Sequence, residues 1–254
     1  MERKLFTPET RQIARERLAE KFKNKTDVKN GHSERQRWNV YDRELEDFAG
    51  TFKGLTDNTE GPYKDYEMAD RLQRYIEYVL DPDHTRRGSL IATEFGGPAS
   101  NLFASFSKDF FETTFGICLN DERDSYQKRI DAKAHHQVLS GDIWNTATYQ
   151  KLRNELGGRK IDLIFSRMVG PLNNITRNPH LWAWIGKRWY ELLNTNGLLF
   201  VQYAYTSEAE AFMLRWIAFL QKEHPELEVT KNKTAFKLHK TSTAPEELPF
   251  LPDL

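Results

Sequence analysis

Hydrophobic positions along this chain change their spacing once, near Gly88. Up to about residue 87 they recur at helical intervals in a polar background. Thr7-Pro8-Glu9 reads as a helix cap followed by Pro at the first helical position and an early acid. Ala14, Leu18 and Phe22 then return every four residues as one narrow apolar stripe. From Asn30 to Gly61, where Trp38, Tyr41, Phe48 and Phe52 fall, the pattern predicts short helices joined by loops. Lys64 to Leu80 predicts a stronger helix, with Ala69, Leu72, Ile76, Val79 and Leu80 on one face, and Asp81-Pro82 ends it.

Beyond Gly88, short apolar runs alternate with amphipathic stretches, the signature of βα units. Strands are expected at Ser89–Phe95, Phe115–Asn120, Gln137–Ser140, Ile161–Ser166 and Leu198–Tyr203. The helices between them are expected at Pro98–Phe106, Asp124–Ala134, Thr146–Leu156 and Leu181–Leu193. A long helix over Glu208–Lys222 follows, and then a hairpin of Leu227–Lys231 with Thr234–His239. The Ile161–Ser166 run is almost wholly apolar, as suits a central parallel strand covered on both faces. The organisation predicted is a helical extension over residues 1–87 that could serve as a lid, an α/β domain over 88–241, and an irregular tail over 242–254.

Composition narrows the function classes. Lys plus Arg and Asp plus Glu number 37 each, so no global basic field attracts phosphate backbones. With 16 Phe, 10 Tyr and 6 Trp the chain has ample material for a core. A single cysteine, Cys118, excludes an intrachain disulfide framework and a multi-cysteine zinc site. The charged start leads into no apolar signal-type run, and no stretch of about 18 apolar residues occurs, so a cytoplasmic protein off the membrane is expected.

In an open parallel sheet, ligands gather at the carboxyl ends of the strands. Four such ends carry chemistry here. The first is Glu94-Phe95-Gly96-Gly97-Pro98-Ala99-Ser100-Asn101, where glycines permit a tight turn and Pro98 suits a helix start. The second, Cys118-Leu119-Asn120-Asp121, offers a carboxylate for a pair of hydroxyls. Asp121 fits better than Asn120, because Tyr126 and Ile130 then fall on the buried face of the next helix. The third is Gly141-Asp142-Ile143, and the fourth is the Asp162-Leu163-Ile164-Phe165-Ser166 run with Arg167 and Met168 beyond it.

Taken in order, these four ends resemble the motifs of class I S-adenosylmethionine-dependent methyltransferases. The acid-x-Gly-x-Gly-x-Gly loop of that family keeps Glu94 and Gly96. Pro98 and Ser100 stand where later glycines would be, unless one residue is deleted and Gly97 takes the second place. The resemblance spans about Ser89 to Lys240. It implies a Rossmann-like, seven-stranded, mostly parallel sheet of order 3-2-1-4-5-7-6 with one antiparallel strand and helices on both faces. It further implies S-adenosylmethionine as cofactor and S-adenosylhomocysteine as product. Asp121 would accept from the ribose hydroxyls, and Asp142 with the Ile143 amide would meet the adenine. Phe95, Gly97, Asn101, Ser166 and Arg167 would line the rest of the donor site.

A sulfonium methyl donor needs mainly in-line positioning, with a base only for some acceptors, so no catalytic base is assigned. Ser166-Arg167-Met168-Val169 lacks the Asn/Asp-Pro-Pro-aromatic tetrad of base-amino methylation, and Cys118 sits within a strand rather than in a nucleophile's loop. Met168, Asn173, His180 and Tyr203 at the mouth, with Trp38 and Tyr41 of the extension, are the acceptor-site candidates. A small-molecule acceptor is expected. RNA or a protein side chain is the alternative, with Lys231, Lys233, Lys237 and Lys240 as a local basic strip. A catalytically silent scaffold is a third reading. His135 and His136 precede the third strand, at the wrong end for the cleft, and no metal is expected.

Overall fold

A computed structural model describes residues 43–56, 67–167, 175, 176, 178–203 and 207–251. The elements among them are α1 (Leu45–Thr51), α2 (Met68–Leu80), β1 (Leu90–Phe95), α3 (Ser100–Ala104), β2 (Phe111–Cys118), α4 (Ser125–Lys133) and β3 (His136–Ser140). They continue with α5 (Thr146–Leu156), β4 (Ile161–Arg167), α6 (Pro179–Leu192), β5 (Leu193–Gln202), α7 (Ser207–Glu223), β6 (Leu227–Lys231) and β7 (Ala235–Lys240). All seven strands join one sheet of order β3-β2-β1-β4-β5-β7-β6. Pairs from β3 through β5 are parallel, and β7 runs antiparallel to both β5 and β6. This is the Rossmann-like strand order expected from the sequence, with β7 as its reversed strand.

Every residue of β1 and the first six of β4 are buried, because helices cover both faces of the sheet centre. On one face, Phe48 and Phe52 of α1 and Leu72 and Ile76 of α2 pack on Ala92, Leu163, Phe165 and Phe200. On the other, α5, α6 and α7 bring Tyr149, Trp182, Trp189 and Trp216 against Phe95, Ile164, Leu199 and Phe236. Asn178 caps α6 by accepting from the amides of His180 and Leu181, with Pro179 first in the helix. The irregular residues 241–251 lie over α6 and α7, where Leu248 is buried and the Pro249 carbonyl accepts from Trp216 Nε1 at 3.0 Å.

Several expectations change. β2 starts at Phe111 and stops at Cys118, leaving Leu119 and Asn120 exposed. β5 starts at Leu193, directly after α6, and takes in the Asn194–Gly197 turn residues as an irregularity opposite Ile161 and Leu163. Pro98 is not the first residue of α3, which begins at Ser100 after Ala99 in a left-handed conformation (φ 62). Tyr126 and Ile130 are 64% and 42% exposed, so the buried face expected for α4 is turned outward. The stripe that faces inward is polar: Asp131 is buried and Gln127 bonds to it at 2.7 Å. The expected basic strip loses two of its four lysines, while Lys231 and Lys233 stay exposed. Lys237 lies on the face covered by α2, bonded to the Tyr75 hydroxyl and 4.5 Å from its ring centre, and Lys240 sits 3.9 Å from the Tyr190 ring centre. Among the described residues no helix is long and apolar enough to cross a membrane.

Candidate functional site

Parallel register brings the carboxyl tips of β3, β2, β1 and β4 side by side. Cys118 pairs with Ser140, Phe95 with Ile117, and Glu94 with Phe165. Two further bonds tie the loops beyond them: the Gly141 amide donates to the Cys118 carbonyl at 2.8 Å, and the Asp121 amide to Ser140 Oγ at 3.1 Å. Glu94, Asp121 and Asp142 therefore stand along one edge of three adjacent strands.

Glu94, next to last in β1 on the face covered by α1, is 1% exposed. The turn that follows curls over it: a Cβ on Gly97 would lie 2.8 Å from a Glu94 carboxylate oxygen. The same turn presses on β2, where a Cβ on Gly116 would collide with the Pro98 carbonyl at 1.9 Å. His136 Nε2 donates to that Pro98 carbonyl at 2.8 Å, so its Nδ1 is left to accept from Thr114 Oγ1 at 2.7 Å. This neutral arrangement accords with a pKa below the ordinary value, caused first by burial.

Arg43, just ahead of α1, reaches the site from outside the sheet. Its Nη1 lies 3.4 Å from Glu94 Oε1 and 3.4 Å from the Arg167 carbonyl, with both charged side chains nearly fully buried. Arg167, at the tip of β4, pairs with Asp47 of α1 at 3.5 Å and donates from Nε to Gln202 at 3.3 Å. The segment around α1 is thus joined by charge to the tips of β1 and β4.

Asp121 is held by Arg123, which donates from Nε to Oδ1 at 2.9 Å and from Nη2 to Oδ2 at 3.1 Å. Lys128 lies 3.4 Å from Oδ2. Despite an opposing desolvation effect, these bonds hold its carboxyl below the usual range. Arg123 also donates to Asp131, which accepts from Ser100 Oγ at 2.6 Å. This buried network is what α4 turns inward in place of an apolar stripe. Its bonds, with the Arg123 amide also donating to Oδ1 at 3.2 Å, fix the Asp121 carboxylate in orientation.

The other sequence candidates divide. Asp142 is half-buried, its Oδ1 accepting from the Trp144 amide at 2.9 Å, and Ile143 is buried beneath it. Asn101 and Asn120 are exposed, as is His180 at the start of α6. The Phe95 ring lies on the far face, stacked on Trp189 at 5.2 Å, so only its backbone borders the tips. Ser166 is fully buried and its Oγ donates to the Phe95 carbonyl at 3.3 Å, a stitch between β4 and β1. Tyr203 is also core: its hydroxyl donates to the Asn232 carbonyl at 2.9 Å, and burial pushes its pKa up to about 12. Burial, with Asp121 adding, likewise raises the Cys118 thiol to about 12, unlike a nucleophilic cysteine. Trp38, Tyr41, Met168 and Asn173 lie outside the described residues. Among the described residues no group of three or more His, Cys, Asp or Glu is placed to hold a metal.

Arg43, Asp47, Arg123 and Gln202 belong to the site but not to the sequence candidates. Arg43 meets partners 51 and 124 positions away, and no local pattern marks such a contact. Arg123, two residues beyond Asp121, could have been found from that short spacing.

No family model matches the chain, and neither does any curated protein. Solved structures do. The MycE methyltransferase of the mycinamycin biosynthetic pathway, crystallised with Mg and S-adenosylhomocysteine, is 11% identical over 68% of this chain, with a TM-score of 0.42. This chain covers 48% of the MycE chain, about half its length. An rRNA methylase from Streptococcus thermophilus is 11% identical over 67% of this chain and 95% of its own, with a TM-score of 0.43. TrmN from Thermus thermophilus is 15% identical over 65% of this chain and 48% of its own, with a TM-score of 0.38.

Proposed function

We propose that the chain is an S-adenosylmethionine-dependent methyltransferase acting on a small molecule. The observation that carries the reading is the row of three acids, Glu94, Asp121 and Asp142, along the carboxyl edge of β1, β2 and β3. In that order they offer an acceptor for an ammonium, a pre-oriented carboxylate for two ribose hydroxyls, and an acceptor for the adenine amino group. The Gly97 turn fits the same reading, since it leaves no side chain between the backbone and Glu94. The sulfonium cofactor supplies an electrophilic methyl group; the protein positions it and excludes water.

A small acceptor is favoured because the Arg43–Glu94 and Arg167–Asp47 pairs tie the segment around α1 to the tips of β1 and β4, which suits a cover over a small cleft. RNA has less support: the chain is neutral, and Lys237 is buried rather than displayed. The N-terminal extension is then the lid, and the compartment is the cytoplasm.

Titration calorimetry with S-adenosylmethionine and S-adenosylhomocysteine tests the reading. Saturable binding of both is expected, with a rise in melting temperature. No heat and no thermal shift with either ligand would refute it and leave a silent scaffold. Salt-sensitive binding of RNA would move the acceptor assignment.

A further inference from the structure

The cations around Asp121 differ in how firmly they are held. A carboxylate offers about four lone-pair positions, and Arg123 takes three of them. Its amide and Nε donate to Oδ1 at 3.2 Å and 2.9 Å, and its Nη2 donates to Oδ2 at 3.1 Å. The other neighbour of Oδ2 is the Lys128 ammonium at 3.4 Å. Arg123 is only 11% exposed and also donates to Asp131, whose carboxylate accepts from Ser100 Oγ at 2.6 Å and Gln127 Nε2 at 2.7 Å. Withdrawing Arg123 would strand two carboxylates in a buried network. Lys128 is 47% exposed on α4, and its ammonium reaches water by a turn of its side chain. An exposed pair of this kind is weak and is screened by salt.

We propose that Lys128 sets how strongly this site selects a ribose that carries its hydroxyls. The ammonium holds the Oδ2 side of Asp121, and the hydroxyls of the donor's ribose take that side by displacing it, while Arg123 stays in place. This rests on the donor assigned above. Arg123 and Lys128 balance Asp121 and Asp131, two charges against two, so departure of the ammonium leaves one net negative charge for the hydroxyl dipoles to face. Part of the hydroxyls' binding is offset by the ion pair they break. Selection therefore sharpens whenever that pair is weakened.

Calorimetry on the full chain tests it with S-adenosylhomocysteine and its 2′,3′-dideoxy analogue, which carry the same charges and differ only in the hydroxyls. The ratio of their affinities reads the hydroxyl contribution alone. Lys128→Met, an exposed substitution that keeps an apolar stem, should raise that ratio about two- to fivefold at low salt by tightening S-adenosylhomocysteine. In wild type the ratio should rise by a similar factor between about 0.02 M and about 0.5 M salt, and in Lys128→Met it should stay constant. A ratio that falls or does not move in Lys128→Met, or a wild-type ratio indifferent to salt, would overturn the proposal. Wild type and variant that both bind the two compounds equally would overturn the ribose contact, and the proposal with it, while keeping the donor. Wild-type protein that binds neither compound would instead overturn the donor assignment, and this inference with it.

Discussion

Replacing Asp162 by alanine should destabilise the protein without touching the cleft. Asp162 is buried at the amino end of β4, opposite the strand tips. Its Oδ2 accepts from the Ile91 amide at 2.9 Å, and its Oδ1 from Arg86 Nη2 at 2.6 Å and Asn194 Nδ2 at 3.0 Å. The ladder slips at these same places, between Leu90 and Ile91 in β1 and between Ile161 and Leu163 in β4. One carboxylate thus replaces the missing ladder bonds of three segments. Arg86, from the turn ahead of β1, is one of its partners. The Ile91 amide left buried without an acceptor costs about 1–3 kcal/mol, and the lost bond to Asn194 about 1 kcal/mol. Arg86 is 35% exposed, so its pair is worth only about 0.5–1 kcal/mol. The sum, about 2.5–5 kcal/mol, corresponds to a fall in melting temperature on the order of 10 °C for a domain of this size. Urea titration followed by circular dichroism measures the loss, and calorimetry measures S-adenosylhomocysteine affinity where the variant is fully folded. A loss below about 1 kcal/mol would refute the accounting. Weakened affinity in folded protein would refute the separation of staple from site.

Two further outcomes follow from the site's polar network. Asp121→Ala should weaken both S-adenosylhomocysteine and methylthioadenosine by about 1–3 kcal/mol, since both carry the ribose, and Asn120→Ala should weaken neither; the reverse pattern would move the ribose role to Asn120. His136 is held neutral by burial, with its pKa below the ordinary 6.5, so the unfolded chain takes up a proton at a higher pH than the folded one. Its contribution to stability is therefore full above about pH 6.5 and declines as pH falls toward the folded value. Denaturation curves at pH 7 and pH 5 should converge for His136→Gln relative to wild type, and parallel losses in the two proteins would show that His136 does not titrate this way.

Much of the architecture was legible before any coordinates. Hydrophobic spacing is a local property, and α5 and β6 fall where it puts them because capping and alternation act within a few residues. The ordinal run of acids at successive strand ends was equally local, and it pointed to the edge where they gather. The errors share a physical cause. Tyr126 and Ile130 look inward on a helical wheel, yet α4 packs through Asp131, whose satisfaction depends on Arg123 just ahead of the helix and on Ser100 at the start of α3. Lys237 reads as surface along the chain, and only the packing of α2 across β7 makes it buried. Tyr203 and Ser166 have hydroxyls that suit a ligand until the backbone carbonyls that take them are known.

The sequence by itself determined the order of strands and helices and the polar residues at their ends, since propensity and periodicity need only neighbours. Tertiary structure alone decided which of those residues share a cleft, which are spent on the core, and that Arg43 meets Glu94 across 51 positions. Such contacts are set by how helices close over a sheet, and a carboxylate's partners in a buried site come from wherever the chain returns.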